Sequence, residues 1–488
     1  MRYISTRGGK NEFLTAAETI VKGIADNGGL FVPEETPLLD NIKSTLAALT
    51  TADYNTHAEK IMQLFFTDYT PDELSACING AYNAQNFTAP EIAPLAQIPD
   101  TNVSFLELFH GKTLAFKDIA LSLLPHLMQT ALHKTNNTKT QIILTATSGD
   151  TGVSALEGFK NIDGMKIIVF YPENGVSVIQ KQHMLTQTEK NVCVVGVNGN
   201  FDDAQTEVKR MFLDPALREQ LNSMNCEFSS ANSINTGRLV PQVVYYFYAY
   251  SQLVKTGLSN GTPVNFVVPT GNFGNILAGY YAKKMGLPIN KLICASNENK
   301  VLTDYFDTGV FDSNRPFYLT ATPSMDILIP SNFERLVFDL SRDAGNERLA
   351  KLSAKQKFTM EVPPDFVGFY ASEVEVKAAI NKVFANHNYL MDPHTAVGYI
   401  AYEKYNTLDQ PTVIVSTASP FKFAKTVMTS VNEKYAAYND FALLAQMADL
   451  TKSAVPPQFA GLETAPKLHS RVSDIAGMQD AVIDFIKA

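Results

Sequence analysis

From residue 100 onward, short apolar runs alternate with helical segments, and this alternation restricts the possible folds more than any other feature of the sequence. Each run is about five residues long and nearly all apolar, which is typical of strands covered on both faces. The predicted strands are Gln141–Thr145, Lys166–Tyr171, Val192–Val197, Asn265–Val268, Lys291–Ala295 and Thr412–Ser416. The predicted helices between them are Val153–Lys160, Ser177–Glu189, Asp202–Phe212, Leu239–Val254, Ile276–Met285 and Phe423–Tyr435. The pattern predicts an α/β fold with parallel sheets joined by right-handed crossovers.

Three loops that directly follow predicted strands carry the residues of chemical interest. They are Ala146-Thr-Ser-Gly-Asp-Thr-Gly152, Pro269-Thr-Gly-Asn-Phe-Gly-Asn275 and Thr417-Ala-Ser-Pro-Phe-Lys422. In parallel sheets, ligands bind at the carboxyl ends of the strands, where these loops lie. A glycine-rich turn that opens a helix presents backbone N–H groups and the positive end of the helix dipole, so these loops predict a phosphate site. A simple turn or a helix cap remains the alternative for each.

A ten-residue segment, Phe109-His-Gly-Lys-Thr-Leu-Ala-Phe-Lys-Asp118, places Lys117 between an aromatic ring and an acid, just before an amphipathic run. An apolar pocket would favour the neutral form of such a lysine, because desolvation disfavours the charge. A neutral amine can condense with an aldehyde, and enzymes that use pyridoxal phosphate attach their cofactor in this way. The alternative is a surface lysine at a helix start.

The same segment resembles the cofactor-lysine segment of the threonine synthase family, with Lys112 standing where that family is expected to have proline. Other stretches of the chain resemble the same family. They are Tyr3–Gly8, Asn27–Glu34, Pro269–Pro288, Pro323–Arg335 and Asp392–Gly398. The resemblance therefore extends from Tyr3 to Lys422. It implies a pyridoxal phosphate enzyme of fold-type II, with two parallel-sheet α/β domains and a mostly helical N-terminal domain.

The resemblance also implies the residues of a cofactor site. Lys117 would attach pyridoxal 5'-phosphate, with Phe116 beside it, and Asp150 would reach the ring hydroxyl. The cofactor phosphate would lie on Gly271, Asn272, Phe273, Gly274 and Asn275. Thr417 would meet the ring nitrogen, with Ser416 and Ser419 as competitors for that role.

A second set of residues is implied for the substrate, O-phospho-L-homoserine, which this family converts with water into L-threonine and phosphate. Thr147, Ser148 and Thr151 would hold its carboxylate. Asn235, Arg238 and Lys112 would face its phosphate, since a fixed guanidinium suits a phosphorylated ligand. A helix cap remains the alternative for the first group, and solvated surface cations for Arg238 and Lys112.

The chain is expected to divide into four parts. Residues 1–98 form a mostly helical N-terminal domain, with prolines near its end. Residues 99–130 and 229–430 form the large cofactor-binding domain, and residues 131–228 form a smaller α/β domain. Residues 431–488 form a C-terminal helical tail.

Composition excludes several other classes of protein. A net charge of -9 over 488 residues argues against a broad nucleic-acid surface. The sequence shows no bilayer-spanning run and no signal peptide. Its four cysteines lie far apart, which predicts reduced thiols in a cytoplasmic protein, and its scattered histidines predict no metal site. His110, His126 and His394 are expected to be structural. The sequence leaves open whether the protein is a monomer or a homodimer.

Two other functions fit parts of the pattern. A threonine or serine dehydratase of the same fold would share the lysine, the glycine loop and the hydroxyl, but it would not need a second anion site. A non-catalytic, phosphate-sensing protein on the same scaffold would need no bound aldehyde at all.

Overall fold

Two parallel sheets organise the chain and place their carboxyl edges on either side of one cavity. The computed structural model describes residues 1–8, 13–99, 101–343, 347–354, 356–405 and 410–488. The strands of these residues are β1 (Tyr3–Ser5), β2 (Phe31–Pro33), β3 (Leu95–Gln97), β4 (Val103–Glu107), β5 (Thr140–Ala146), β6 (Met165–Pro172), β7 (Val192–Asn198), β8 (Cys226–Ser230), β9 (Val264–Pro269), β10 (Ile289–Ser296), β11 (Val310–Phe311), β12 (Phe358–Thr359), β13 (Phe366–Tyr370), β14 (Thr412–Ser416) and β15 (Val472–Asp474).

Helices cover the faces of both sheets and supply most of the regular structure of the N-terminal region. They are α1 (Ala16–Lys22), α2 (Ile42–Leu49), α3 (Tyr54–Phe65), α4 (Pro71–Ala81), α5 (Lys117–Lys134), α6 (Asp150–Phe159), α7 (Val178–Leu185), α8 (Phe201–Leu213), α9 (Pro215–Ser223), α10 (Thr236–Lys255), α11 (Gly274–Lys284), α12 (Val301–Thr308), α13 (Phe333–Ser341), α14 (Glu347–Ser353), α15 (Glu373–His387), α16 (Pro393–Tyr405), α17 (Ala424–Val431), α18 (Asp440–Thr451) and α19 (Met478–Lys487).

The larger sheet has the strand order β13-β10-β9-β14-β4-β3. Its strands are parallel except at the edge, where β3 runs antiparallel to β4. The smaller sheet has the order β15-β7-β6-β5-β8 and is parallel throughout. Strands such as β9 and β14 are buried at every residue, because helices cover both of their faces. The predicted α/β class with two parallel sheets is therefore confirmed.

All six strands predicted from apolar runs are present, but the sequence pattern missed others. The strands β4, β8 and β13 were not predicted, and each has a polar residue or a glycine within it: Ser104 in β4, Ser229 in β8 and Gly368 in β13. These interruptions break the continuous apolar signal of a buried strand. These three strands form because they pair with neighbouring strands in the sheets, which the local sequence pattern does not report.

The regular structure of the N-terminal region is mostly helical, as predicted, and α1, α3 and α4 pack against α5 and α10. At the other end, residues 431–488 form α18 and α19 but also the short strand β15, which pairs with β7 at the edge of the smaller sheet. The tail is therefore not wholly helical. The boundary predicted between residues 228 and 229 falls inside β8, and the four-part division stays a prediction.

No helix of the described ranges combines the length and the hydropathy that a bilayer-spanning segment needs.

Candidate active site

A cavity lies where loops from both sheets meet. Loops after β5, β9 and β14 contribute to its wall, together with the first residues of α5 and α10. The residues that line it are Phe116, Lys117, Ser148, Thr151, Phe201, Asn232, Ser233, Arg238, Gln242, Pro269, Thr270, Gly271, Asn272, Phe273, Gly274, Asn275, Ser324, Met325, Ile327, His394 and Thr417. A cavity of this kind, at the carboxyl ends of parallel strands, is the usual ligand site of such folds.

Lys117 is the first residue of α5 and points its amine into this cavity. Its side chain is buried, with Nζ 3.4 Å from Ser324 Oγ, 3.6 Å from Asp150 Oδ2 and 4.9 Å from the centre of the Phe116 ring. Burial lowers the pKa of the Lys117 amine to about 8, even though the Asp150 carboxylate acts in the opposite direction. The amine is therefore close to the balance between its charged and neutral forms at physiological pH.

Asp150, the first residue of α6, lies between two lysines. Its Oδ1 accepts from Lys422 Nζ at 2.7 Å and from Gln180 Nε2 at 2.7 Å, while Oδ2 accepts from Ser324 Oγ at 3.2 Å. Burial by itself would raise the pKa of Asp150. The cations of Lys422 and Lys117 outweigh burial and hold that pKa well below its usual range. Asp150 is therefore a carboxylate at neutral pH.

A histidine and an aspartate complete this side of the cavity. The backbone N–H of Ser324 donates to His394 Nε2 at 3.3 Å, and His394 Nδ1 lies 2.8 Å from Asp392 Oδ1. Because Nε2 accepts, the proton of the neutral ring lies on Nδ1 and is directed at Asp392. This pair fixes the turn Pro323–Met325 against Lys117 and Asp150.

Another part of the cavity wall is a candidate anion cradle, Gly271–Asn275. Phe273 adopts a left-handed conformation with φ 65°, and α11 begins directly after it at Gly274. No side chain caps the start of α11, so its first N–H groups remain available to a ligand. At Gly271, an added Cβ would lie 2.4 Å from the carbonyl oxygen of Ser324, so the close approach of these two segments requires glycine.

Two buried nitrogen atoms on the cavity wall lack hydrogen-bond partners among the described residues: Arg238 Nε and Asn275 Nδ2. Arg238 donates through Nη1 to the carbonyl of Ala231, and it forms no ion pair with a described carboxylate. Burial lowers the pKa of its guanidinium to about 10. Asn275 accepts from the hydroxyls of Tyr245 and Tyr246 at 2.7 Å each, which fixes its amide. A buried, unpaired guanidinium is costly, and an anionic ligand would compensate it.

Thr417 lines the cavity, whereas its two competitors are occupied elsewhere. Ser416 Oγ lies 3.0 Å from Thr395 Oγ1, and Ser419 Oγ accepts from the backbone N–H of Phe421 at 3.4 Å. The described residues give the Thr417 hydroxyl no hydrogen bond, so it is the one of the three that is free to meet a ligand.

The structure brings together most of the residues predicted from sequence. Those on the cavity wall are Phe116, Lys117, Ser148, Thr151, Arg238, Gly271, Asn272, Phe273, Gly274, Asn275 and Thr417. Asp150 lies just behind the wall, in contact with Lys117.

Three predicted substrate residues do not reach the cavity. Lys112 lies on the surface, with 45% of its side chain exposed and its Nζ 3.6 Å from Glu157. Thr147 is buried and uses its Oγ1 to accept from the N–H groups of Gly149 and Gly152. Asn235 caps α10 and donates to the carbonyls of Ile20 and Ser230. The substrate roles of these three residues stay predictions, since the first side chain faces solvent and the other two form hydrogen bonds with the backbone.

Sequence reasoning missed Lys422, Ser324 and His394. Lys422 lies in the loop after β14 and Ser324 in the stretch Pro323–Arg335, but sequence patterns assigned neither residue a chemical role. His394 was expected to be structural, and the structure places it on the cavity wall. The one local signal that could have pointed to Lys422 is its position as a charged residue in the loop that follows the buried strand β14. Within the described ranges, no three His, Cys, Asp or Glu side chains cluster as metal ligands do.

The fold and the cavity together define a class: pyridoxal-phosphate-dependent enzymes built on two parallel sheets. The residues present fit that cofactor, because they supply a lysine that is readily neutral, a helix start free to hold a phosphate and an unpaired hydroxyl. A family model described as pyridoxal-phosphate dependent enzyme matches residues 88–419. Models described as threonine synthase N terminus and threonine synthase, C-terminal match residues 2–82 and 395–486. The chain belongs to the threonine synthase family, and its cofactor is pyridoxal phosphate.

Similar proteins agree with this placement. The threonine synthase of Schizosaccharomyces pombe is 35% identical over 94% of this chain and 93% of its own length. Threonine synthase-like 1 of Homo sapiens is 40% identical over 86% of this chain, which spans only 58% of that protein. Among solved structures, the pyridoxal phosphate-bound threonine synthase from Brucella melitensis superposes with a TM-score of 0.84 at 34% identity, covering 100% of both chains.

Proposed function

We propose that this chain converts O-phospho-L-homoserine and water into L-threonine and phosphate. Membership of the threonine synthase family supports the proposal. The structural observation that carries it is the presence of two anion-binding features in one cavity, the start of α11 and the unpaired guanidinium of Arg238. A phosphorylated cofactor beside a phosphorylated substrate needs both, whereas a dehydratase substrate would leave Arg238 without a partner.

Lys117 has the central role in the proposed reaction. When bound, pyridoxal phosphate supplies an electron sink for the charge that develops when the substrate loses its α-proton. Lys117 Nζ takes that proton and returns protons to the substrate carbon chain, because its pKa of about 8 allows it to act in both directions near neutral pH. Phosphate leaves from the γ-carbon, and water adds at the β-carbon.

The other cavity residues bind and orient the substrate. Arg238 pairs with the substrate phosphate, and the pairing compensates its buried charge. Ser148 and Thr151, in the loop after β5 and the first turn of α6, hold the substrate carboxylate with hydroxyl and N–H donors. Asp150 would accept a hydrogen bond from the ring hydroxyl of the cofactor. Closure of these loops would keep bulk water from the reacting carbons.

Replacing Thr417 with aspartate should change which product forms. A carboxylate would hold the ring nitrogen protonated, whereas a hydroxyl does not, and stronger electron withdrawal should favour side reactions. We expect the 2-oxobutyrate share of product to rise by about tenfold, measured by separating keto acid and amino acid products. Ser416→Ala, at the adjacent residue, is the matched control and should keep the wild-type ratio. If Thr417→Ala and Thr417→Asp both give that ratio, the ring-nitrogen role belongs to another residue.

The proposed function is tested by incubating the purified chain with O-phospho-L-homoserine and assaying threonine and phosphate in the same sample. Equal amounts of the two products are expected. Release of 2-oxobutyrate in place of threonine would identify a dehydratase-like lyase instead. A chain that binds the substrate without releasing phosphate would be a binding protein.

The proposal extends to a cytoplasmic location, which the four free thiols support. Whether the chain is a monomer or a homodimer stays a prediction.

A further inference from the structure

Lys422 is a fully buried cation in the turn that follows β14. Its side chain has 0% exposure, and its Nζ lies 2.7 Å from Asp150 Oδ1 and 2.7 Å from the carbonyl oxygen of Thr113. Asp150 is the carboxylate with which it forms an ion pair among the described residues. A lysine in such a position is costly unless a carboxylate compensates it, so Lys422 and Asp150 must be considered together.

The two oxygens of Asp150 face different surroundings. Oδ1 accepts hydrogen bonds from Lys422 Nζ and from Gln180 Nε2, both at 2.7 Å. Oδ2 faces the cavity side, where Ser324 Oγ lies at 3.2 Å and Lys117 Nζ at 3.6 Å. The pairing with Lys422 is therefore the tighter of the two.

We propose that Lys422 is a positioning residue of this site, a permanent counter-cation that keeps the Asp150 carboxylate compensated while the Lys117 amine is neutral or engaged. Without Lys422, Asp150 and Lys117 would form a closed buried pair, which would stabilise the charged form of the amine. With Lys422 present, two lysines share one carboxylate. The excess positive charge then favours loss of a proton from Lys117, whose amine is held less tightly.

This inference rests on the role of Lys117 in the proposed function, and it depends on the charges around both lysines. Burial lowers the pKa of Lys117. The Asp150 carboxylate on α6 raises that pKa, whereas the charges of Lys422 and of Arg238 on α10 lower it further. A protonated His394 ring on α16 would lower the pKa of Asp150. Burial raises the pKa of Asp118 on α5, and Lys422 acts against that rise. Of the cations Lys117, Lys422 and Arg238, only Lys422 has its charged group within hydrogen-bond distance of the Asp150 carboxylate.

The test measures the protonation of Lys117 directly, without turnover. The full chain freed of cofactor is labelled with trace acetic anhydride between pH 6 and 10, and the peptide that contains Lys117 is quantified by mass spectrometry. In the wild type, the half-labelling pH should lie near 8. In Lys422→Gln, which can still donate to Asp150 but carries no charge, it should rise by about one pH unit or more. Lys422→Arg keeps the charge and should stay near the wild-type value.

Lys209 serves as an internal control in the same samples. It is also a lysine whose pKa is lowered by burial, but its charged neighbours are Glu334, Arg7 and Asp202. Its half-labelling pH should not change in any of the variants. Lys422→Met is a second neutral replacement, measured beside Lys422→Gln so that the loss of one variant to misfolding does not end the test. Thermal unfolding confirms which variants are folded.

An unchanged half-labelling pH of Lys117 in a folded neutral variant would overturn the proposal, and so would a shift of equal size in Lys422→Arg. A merely structural role for Lys422 would lower thermal stability without moving the Lys117 titration. Because the labelling needs no substrate, its outcome is separate from that of the threonine assay. Absence of threonine with a shifted titration would contradict the proposed function alone.

Discussion

Replacing Lys117 with alanine should abolish threonine formation, with a loss of at least about 1,000-fold, because one residue supplies both the attachment of the cofactor and the base. The buried amine lies within 3.6 Å of Asp150 and 3.4 Å of Ser324, and the described cavity wall contains no second lysine that could replace it. Turnover is measured as threonine and phosphate released from O-phospho-L-homoserine. Treatment with borohydride followed by mass spectrometry should find cofactor fixed to Lys117 in the wild type and none in the variant.

Lys134→Ala is the matched control, since Lys134 lies at the other end of the same helix and pairs with Glu73 at 2.8 Å on the protein surface. It should retain activity and covalent cofactor. A Lys117→Ala variant that still makes threonine at a comparable rate would refute the central assignment. Cofactor fixed to a different lysine in the wild type would do the same.

The second large effect is expected at Gly271, where alanine should weaken cofactor binding by about 100-fold, equivalent to about 2.7 kcal/mol. An added Cβ would lie 2.4 Å from the carbonyl oxygen of Ser324 and 3.0 Å from Ile327 Cδ1. The first contact is with backbone, so either the cradle or the turn Pro323–Met325 must move. That turn carries Ser324, whose hydroxyl contacts both Lys117 and Asp150. The dissociation constant of pyridoxal phosphate is measured by absorbance titration.

Gly274→Ala provides a comparison within the same loop. Its added Cβ would meet Asn332 Nδ2 at 3.3 Å, a much longer contact than the 2.4 Å contact with backbone at Gly271. We therefore expect a change of no more than about threefold in the dissociation constant. Circular dichroism and thermal unfolding establish that both variants are folded before binding is compared. Equal affinities for the two variants would show that the close approach at Gly271 does not shape the cradle.

Local sequence patterns were sufficient for much of the fold. Continuous apolar runs predicted six strands of the two parallel sheets, because a strand buried on both faces needs apolar side chains throughout. The same reasoning failed for β4, β8 and β13, where polar residues or glycine interrupt the run. Burial of those strands depends on their neighbours in the sheet, and a local pattern does not report neighbours.

For the site, the sequence by itself determined which loops carry chemistry, because ligands collect where parallel strands end and a glycine turn opens a helix. It also predicted roles for Lys117, the cradle Gly271–Asn275 and Thr417 through their resemblance to one family, and all of these residues line the cavity. Only the tertiary structure decided which polar side chains face the cavity. It placed Thr147 and Asn235 in backbone hydrogen bonds, and it brought Lys422 to Asp150 from a distant part of the chain. The pairing of buried charges depends on distances across the fold, and residue order along the chain does not specify those distances.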